Sequence, residues 1–239
     1  MYPKVTLTYA QSLDGSIAGI PGERLRLSGS ESMKYTHELR ALNQGILIGV
    51  NTVLADNPSL TVRLCPGNNP KPVILDSNLR TPTNCKLLVN EQCVKPIILY
   101  SCQGGATANK VEALTKLGCV CVKCKSSDGH VDLDDALKQI KQEPHHINTL
   151  MVEGGGQVIT SFIRLHWSPK NQFIIHEVII TIAPTFVGGV KSITTLLPFC
   201  RGGESESGEC NFPRLLNKEM VLKGNDIVVK GILDSPMQK

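Results

Sequence analysis

The sequence lacks a long apolar run, and its positive charges form no dense block. A membrane-spanning helix needs about 20 consecutive apolar residues, so we predict no membrane span. The 25 Lys and Arg residues outnumber the 21 Asp and Glu residues by only four and are scattered along the chain. Because nucleic-acid surfaces need clustered basic residues, we predict no nucleic-acid partner, whereas an anionic small molecule is compatible.

A secretion signal is also lacking in the amino-terminal stretch, MYPKVTLTYAQSLDG, which has no basic leader and predicts a first strand. The nine cysteines are an odd number, which favours reduced thiols and a cytoplasmic protein. Cys121 and Cys124 have the spacing of zinc ligands, but no second pair follows, and structural zinc needs four ligands. We therefore expect no metal and interpret both as small apolar residues.

Predicted strands and helices alternate along the chain, which indicates an α/β protein. The composition is ordinary for a globular protein, and without a linker or repeat we predict a single domain over residues 1–239. The predicted strands are 4–9, 46–48, 59–63, 72–77, 96–100, 119–125, 149–153 and 177–182, with a closing hairpin of 220–223 and 226–231. The predicted helices are 29–42, 106–117, one capped by Asp132 and ended by Pro144, and 157–165; residues 78–90 and 198–213 are predicted loops.

The segment Gly45–Arg63, GILIGVNTVLADNPSLTVR, places polar residues directly after a buried strand. The chain is expected to turn sharply at Asn51 and Thr52 and to become extended again at residues 59–63. In α/β proteins, ligands bind at the carboxyl ends of strands. The residues alone leave two interpretations open, a ligand site or a strand followed by a surface turn.

Three glycines, Gly154–Gly156, separate a predicted strand from a predicted helix. This arrangement presents backbone N–H groups and the positive end of a helix to an anion. It is not the G-x-G-x-x-G dinucleotide fingerprint, because Ile159 occupies the last position. A phosphate site and a tight turn therefore both remain possible here.

The first predicted helix begins at a capping box formed by Ser28 and Glu31. Arg40 lies near its end, where a cation favours the helix dipole, which is the structural alternative to a binding role. His37, on the same helix, is predicted to be a surface residue rather than a ligand.

The chain contains four motifs in the order TYAQSLDG, LRALNQGILIGVNTVLADNPSLTVR, VILDS and VEGGG. With these motifs it resembles the riboflavin-biosynthesis pyrimidine reductases over nearly its whole length. The resemblance implies a dihydrofolate-reductase-like fold with a central, mostly parallel sheet flanked by helices, and a homodimer. It also implies NADPH-dependent reduction of a ribosylamino-pyrimidinone 5′-phosphate to its ribitylamino form.

The same resemblance implies roles for individual residues. The cofactor-binding positions are Ala10, Thr52, Asp56, Ser77 and the turn Gly154, Gly155, Gly156, Gln157 and Val158, which continues to about Ser161. The substrate-binding positions are Arg40, Leu60, Arg63 and Glu153, with Arg24 in a variable loop. The residue chemistry agrees, since arginine forks suit a phosphate and glycines allow a pyrophosphate to approach the backbone. Ser77 and nearby Arg80 could bind the 2′-phosphate that distinguishes NADPH from NADH.

The mechanism that we infer begins with opening of the ribosylamine to an imine, whose sugar C1′ then accepts hydride from the nicotinamide. The protein would supply alignment and electrostatics. A carboxylate near an iminium favours its positive charge, and Glu153 is the first candidate for this catalytic role, with Asp56 the second.

The H-x-E and P-C-x-x-C patterns of zinc deaminases are missing from the chain. We therefore expect a stand-alone reductase that acts before deamination, on the 2,5-diamino compound. Two alternatives are kept: a reductase that acts on the deaminated pyrimidine, and a non-catalytic paralogue that binds nucleotide.

Overall fold

The computed structural model describes residues 1–19, 25–101, 107–168, 173–189, 192–193 and 213–234. Arg24 and all but the last residue of the predicted loop 198–213 lie outside the described residues. Among the helices of the described ranges, none combines the length and apolar composition needed to cross a membrane.

The described strands build a nine-stranded sheet and a small separate hairpin. In chain order the strands are β1 (Lys4–Ser12), β2 (Gly45–Gly49), β3 (Lys71–Leu75), β4 (Ile97–Ser101), β5 (Val120–Cys124), β6 (Ser126–Ser127), β7 (His130–Val131), β8 (Thr149–Gly154), β9 (Ile175–Ala183), β10 (Leu215–Lys223) and β11 (Asp226–Leu233). The sheet order is β10-β11-β9-β1-β8-β2-β3-β4-β5. Neighbours from β9 to β5 are parallel, and β10 and β11 add an antiparallel edge, so the predicted mostly parallel sheet is confirmed.

Helices cover both faces of this sheet. They are α1 (Ser30–Leu42), α2 (Val50–Asp56), α3 (Lys86–Val89), α4 (Ala108–Lys116), α5 (Leu133–Lys141) and α6 (Gly156–His166). Strand β2 illustrates the two-sided burial, because Leu47 packs in the cluster that contains Phe162 of α6, whereas Ile46 and Ile48 pack in the cluster that contains Leu114 of α4. Such short, wholly apolar strands are typical of parallel sheets covered on both faces.

The predicted capping box of α1 is wrong. The N-cap residue is Gly29, which makes no side-chain cap bond, and Ser28 lies outside the helix. Instead, the buried carboxylate of Asp226, at the start of β11, accepts hydrogen bonds from the Gly29 amide at 2.8 Å and from the Ser32 hydroxyl. A tertiary contact has replaced the local cap.

Two predictions in the Gly45–Arg63 segment also need correction. The sharp turn at Asn51 and Thr52 is the first part of helix α2, because Val50 and Val53 bury one helical face. Residues 59–63 pair with no described strand. The predicted loop 78–90 contains the short helix α3, and the hairpin of β6 and β7 was not predicted.

Candidate active site

The sequence-predicted site residues gather at the carboxyl edge of the sheet. Strands β1, β8 and β2 are parallel neighbours, so their carboxyl ends meet at one edge. Ala10 lies near the end of β1, Glu153 and Gly154 at the end of β8, and Thr52 in the helix that follows β2. This crevice outside the strand ends is the usual ligand position in open α/β sheets.

The amino-terminal ends of α2 and α6 pack together beside this edge. A Cβ atom added to Gly155 would lie 3.0 Å from the Thr52 hydroxyl, and one added to Gly49 would lie 2.8 Å from a Val158 methyl. The Asn51 side-chain amide donates to the Gln157 side-chain oxygen at 3.2 Å. The two predicted parts of a cofactor site, about a hundred residues apart in sequence, are therefore in contact.

The glycine turn before α6 has the properties of an anion cradle. Gly154 and Gly155 have φ values of +119° and +31°, a backbone region that residues other than glycine rarely adopt. Gly155 is the N-cap of α6 and offers no side-chain acceptor to the first amides of the helix. These amides and the positive end of the helix suit the pyrophosphate of a dinucleotide.

Arg40 and Glu153 form a bidentate ion pair at the same strand end. The Arg40 Nε and Nη2 atoms donate to the two carboxylate oxygens of Glu153, each at 2.6 Å. The side chains are only 12% and 13% exposed. Burial opposes the charge on Arg40, but the Glu153 carboxylate more than offsets it, and the pKa of Arg40 is raised. The arginine fork that was expected to face a phosphate is occupied by Glu153.

The segment Thr61–Arg63 runs beside this pair with its backbone groups bonded to side chains. The Thr61 carbonyl accepts from Arg40 Nη1 at 3.1 Å, and the Val62 amide donates to Asn69 at 2.7 Å. The Arg63 amide donates to His37 Nδ1 at 2.9 Å. Side chains thus bond three backbone groups that a sheet would otherwise pair, and the predicted strand is not formed.

The remaining predicted substrate and catalytic residues differ in exposure. Arg63 is exposed, and its guanidinium donates to the Thr61 hydroxyl. Leu60 is 3% exposed, and its side chain packs in the apolar cluster beneath α2 and α4. Asp56 is the exposed last residue of α2, where the helix dipole disfavours a negative charge, so helix stability does not explain its presence.

Ser77 and Arg80 lie in the loop after β3. The Ser77 hydroxyl accepts from the Val131 amide at 2.9 Å. The buried carboxylate of Asp76 shapes the loop by accepting from the Arg80 and Thr81 amides at 2.8 and 2.7 Å. The Arg80 guanidinium donates to the Asn51 side-chain oxygen at 2.7 Å, which places this cation at the contact between α2 and α6.

The prediction that His37 is a surface residue is wrong. His37 is 1% exposed, and its pKa is lowered to about 4 by burial and by the nearby charges of Arg40 and Arg63. Sequence reasoning missed His37, Asn51 and Asn69 as parts of the site. The single usable signal was position, since His37 lies one helical turn before Arg40 and so faces the same region.

Comparison with solved structures identifies the fold as a dihydrofolate-reductase-like α/β domain. The riboflavin biosynthesis reductase Rib7 of Saccharomyces cerevisiae superposes with a TM-score of 0.72 at 28% identity, covering 98% of this chain and 90% of that chain. A pyrimidine reductase-like protein of Corynebacterium diphtheriae gives a TM-score of 0.73 at 17% identity, over 97% and 92% of the two chains, which supports the fold alone.

Residues 3–229 match the family model of the RibD C-terminal domain, and the chain belongs to this family. A similar protein of Methanothermobacter thermautotrophicus, named 2,5-diamino-6-ribosylamino-4(3H)-pyrimidinone 5′-phosphate reductase, is 34% identical over 96% of this chain and 98% of its own. The protein of the same name from Saccharomyces cerevisiae is 34% identical over 78% and 74% of the two chains. The resemblance stated from the motifs is confirmed.

The family also contains longer proteins. Riboflavin biosynthesis protein RibD of Actinobacillus pleuropneumoniae is 31% identical over 98% of this chain, which spans 58% of that protein. In RibD of Aquifex aeolicus the matched part is 50% of the protein.

Proposed function

We propose that this protein is an NADPH-dependent reductase of riboflavin biosynthesis, a single reductase domain over residues 1–239. It would reduce the ribosyl side chain of 2,5-diamino-6-ribosylamino-4(3H)-pyrimidinone 5′-phosphate to the ribitylamino form. The observation that carries the proposal is the end of β8, where Glu153, half-buried and paired with Arg40, directly precedes the glycine turn of α6. One strand end thus joins a polar pair suited to a pyrimidine with a cradle suited to a dinucleotide.

The residues around the α2–α6 contact fit the cofactor. Gly155 and Gly156 pack closely against their neighbours, because an added Cβ atom would lie 3.0 Å from the Thr52 hydroxyl at Gly155, or 3.2 Å from Ile17 and the Ile193 carbonyl at Gly156. Glycine at both positions allows this close packing and leaves the backbone amides of the turn for the pyrophosphate. Thr52, Ser77 and the first amides of α6 would hold NADPH, with Ala10 and Asp56 beside it. When bound, NADPH supplies the hydride that reduces the imine carbon.

The substrate would be held by the residues of α1, β8 and the segment Thr61–Arg63. Exposed Arg63 is the guanidinium suited to the 5′-phosphate, because the fork of Arg40 is filled by Glu153. The Glu153 carboxylate is held by two hydrogen bonds from Arg40, so it would favour the positive charge of an iminium without reorganising, although the charge of Arg40 opposes part of this effect. Uptake of one hydride and one proton by the C=N bond then gives the ribitylamine.

Action before deamination is the order that we favour. The relative from Methanothermobacter thermautotrophicus, of which this chain covers 98%, is named for the 2,5-diamino compound. The RibD relatives extend well beyond the part that this chain matches. Action on the deaminated pyrimidine is the alternative that these longer relatives keep open.

The test is a turnover comparison. Purified protein is mixed with NADPH and either the 2,5-diamino compound or its deaminated counterpart, and loss of the reduced nicotinamide absorbance is followed. We expect faster oxidation with the 2,5-diamino compound. Faster oxidation with the deaminated compound would move the enzyme one step later. NADPH binding without turnover of either compound would instead indicate the non-catalytic paralogue.

We further propose a cytoplasmic homodimer. In the described part of the chain no strand pairs with the outer edge of β10, and Met220 and Leu222 on that strand are 76% and 71% exposed. An unpaired edge with exposed apolar side chains is a surface that a second copy would cover. Sedimentation should report a dimer, and Met220→Lys with Leu222→Lys should give monomers, whereas Val89→Lys on α3 should not.

The buried free thiols of Cys85, Cys93, Cys119 and Cys124 agree with a reducing compartment.

A further inference from the structure

The backbone of the segment Thr61–Arg63 is held by side chains from outside the segment. Arg40 donates to the Thr61 carbonyl, Asn69 accepts from the Val62 amide, and His37 accepts from the Arg63 amide at 2.9 Å. A loop fixed at three consecutive residues has little freedom to reorient. The last of these bonds fixes the backbone of Arg63, whose guanidinium is exposed.

The hydrogen bond of His37 determines the state of its ring. Because Nδ1 accepts a hydrogen bond from the Arg63 amide, that nitrogen carries no hydrogen of its own, and the neutral ring has its hydrogen on Nε2. His37 sits on α1, one turn before Arg40, and is 1% exposed. The charged groups around it are Arg40 and Arg63, which disfavour protonation, and Glu153, which favours it.

The surroundings of His37 keep its Nδ1 atom available as a hydrogen-bond acceptor. Burial and the two arginines lower the pKa of His37 to about 4. The ring is therefore neutral in a solution near neutral pH, and the bond to the Arg63 amide is intact under the conditions in which the enzyme would work.

We propose that His37 is a positioning residue for the substrate phosphate, which fixes the backbone of Arg63 and thereby aims its guanidinium. The inference rests on the proposed function, because it takes the 5′-phosphate of the pyrimidine as the ligand of Arg63. His37 itself contacts neither substrate nor cofactor in this assignment. Its effect reaches the ligand through one amide and one side chain.

The experiment is a double-variant cycle with a conservative rescue. His37→Leu removes the acceptor, whereas His37→Asn places an amide oxygen near the position of Nδ1. We expect His37→Leu to raise the substrate KM about tenfold, the upper range for one lost hydrogen bond, with little change in kcat or in the KM for NADPH. His37→Asn should restore most of the substrate affinity.

Arg63→Ala decides whether His37 acts through Arg63. If it does, the double variant His37→Leu/Arg63→Ala should have the same substrate KM as Arg63→Ala alone. Additive increases in KM would overturn the inference, as would an equal rise in the KM for NADPH. Absence of turnover by the unmodified protein would refute the proposed function first and the inference with it.

His166 provides the matched control. It is also buried on a helix, and its Nδ1 accepts from the Ile175 amide at 3.1 Å, but it lies at the far end of α6. His166→Leu should lower the free energy of unfolding and leave the substrate KM unchanged, measured at a temperature where the variant is folded. A rise in KM equal to that of His37→Leu would mean that lost stability, rather than positioning, is the cause.

Discussion

Arg40 and Glu153 are each the principal partner of the other, and this makes the pair sensitive to the loss of either charge. Both carboxylate oxygens and two guanidinium nitrogens are engaged, with little exposure to water. Removing one member of such a pair leaves an uncompensated charge, which costs more than the intact pair contributes.

Glu153→Gln keeps the shape of the side chain and removes its charge. We expect the free energy of unfolding to fall by about 3 kcal/mol, the low end for a broken buried pair, because Arg40 loses its counter-ion but Gln can still accept a hydrogen bond. We also expect turnover at saturating substrate to fall about tenfold to 100-fold, since a fixed charge near the reacting carbon is lost. Urea unfolding and NADPH oxidation measure the two effects.

The double variant Arg40→Gln/Glu153→Gln separates stability from chemistry. It should recover part of the lost stability, because no unpaired charge remains, but it should not recover turnover. Unchanged turnover in Glu153→Gln would exclude Glu153 as the catalytic carboxylate and leave Asp56.

Arg80 is the cation that we propose binds the 2′-phosphate of NADPH. Its bond to Asn51 holds it at the contact between α2 and α6. Arg80→Ala should weaken NADPH binding about tenfold, the effect of losing a contact worth roughly 1.4 kcal/mol, and should weaken NADH binding much less. Titration with each cofactor measures this, and Arg164→Ala, an exposed arginine on the last turn of α6, is the matched control. Equal losses for the two cofactors would contradict this role.

The residues of the candidate site could be named from sequence where they belong to a motif, and not where only a distant contact brings them to the site. The motif LADNPSLTVR placed Asp56 and Arg63, and VEGGG placed Glu153 and the glycines. The role of His37 was not predicted, because its partner, the Arg63 amide, lies 26 residues away in a segment without regular structure. A lone histidine on a weakly amphipathic helix gives no local signal of such a bond.

The turn between β8 and α6 depends on glycine for its backbone conformation, and the structure offers a matched test of its proposed role. Gly155→Ala would add a Cβ atom 3.0 Å from the Thr52 hydroxyl at a φ of +31°. Gly129 has a φ of +76° with nothing within 4 Å, in the turn between β6 and β7. Both alanine variants should lose about 1–2 kcal/mol of stability from backbone strain.

Only Gly155→Ala should weaken NADPH binding, because only its added methyl group lies where α2 and α6 meet. Calorimetric titration of both variants with NADPH measures the difference. A loss of affinity in Gly129→Ala as well would attribute the effect to general strain, and normal affinity in Gly155→Ala would remove the turn from the cofactor site.

Helices and strands were predictable where their signal is local. Helix α5 is capped by Asp132, whose side chain accepts from the Asp135 amide, and it buries Ala136, Leu137 and Ile140 at helical spacing, as predicted. The cap of α1 was not predictable, because Asp226 lies 197 residues from Gly29.

Cys121 and Cys124 of β5 have the spacing of metal ligands, but the geometry of the strand separates their side chains. Cys121 packs beside the cluster of Ile46 and Ile98, whereas Cys124 lies in the cluster of Leu99 and Leu137. Residues three apart on a strand point to opposite faces, so one metal ion cannot bind both thiols. Burial also raises the pKa of Cys124 to about 12, which disfavours the thiolate that a metal requires.

The folded chain as a whole should lose stability in mild acid. Burial lowers the pKa of His37 to about 4 and also lowers that of His166, while the unfolded values are near 6.5. Below 6.5 the unfolded chain therefore binds more protons than the folded one. The stability is fully present above this pH and is lost progressively as the pH falls toward 4.

Urea unfolding at a series of pH values measures this loss. The decline between pH 6.5 and about 4 should be smaller in His37→Asn, which has no ring to protonate. The carboxylates Asp14 and Asp134, whose pKa values are lowered, should act only in stronger acid. A stability that does not change across the histidine range, or an equal decline in His37→Asn, would contradict the assignment.

The position of β1 has a consequence for how the chain is made. Its two neighbours in the sheet are β8 and β9, which begin at Thr149 and Ile175. During synthesis from the amino terminus, β1 therefore emerges long before β8 and β9 have been made, and it remains unpaired until then. Contacts at such large sequence separation slow folding and leave apolar strand surface exposed meanwhile. The crevice at the strand ends can form only once β8 and α6, which ends at His166, have left the ribosome, so earlier fragments should need protection by chaperones.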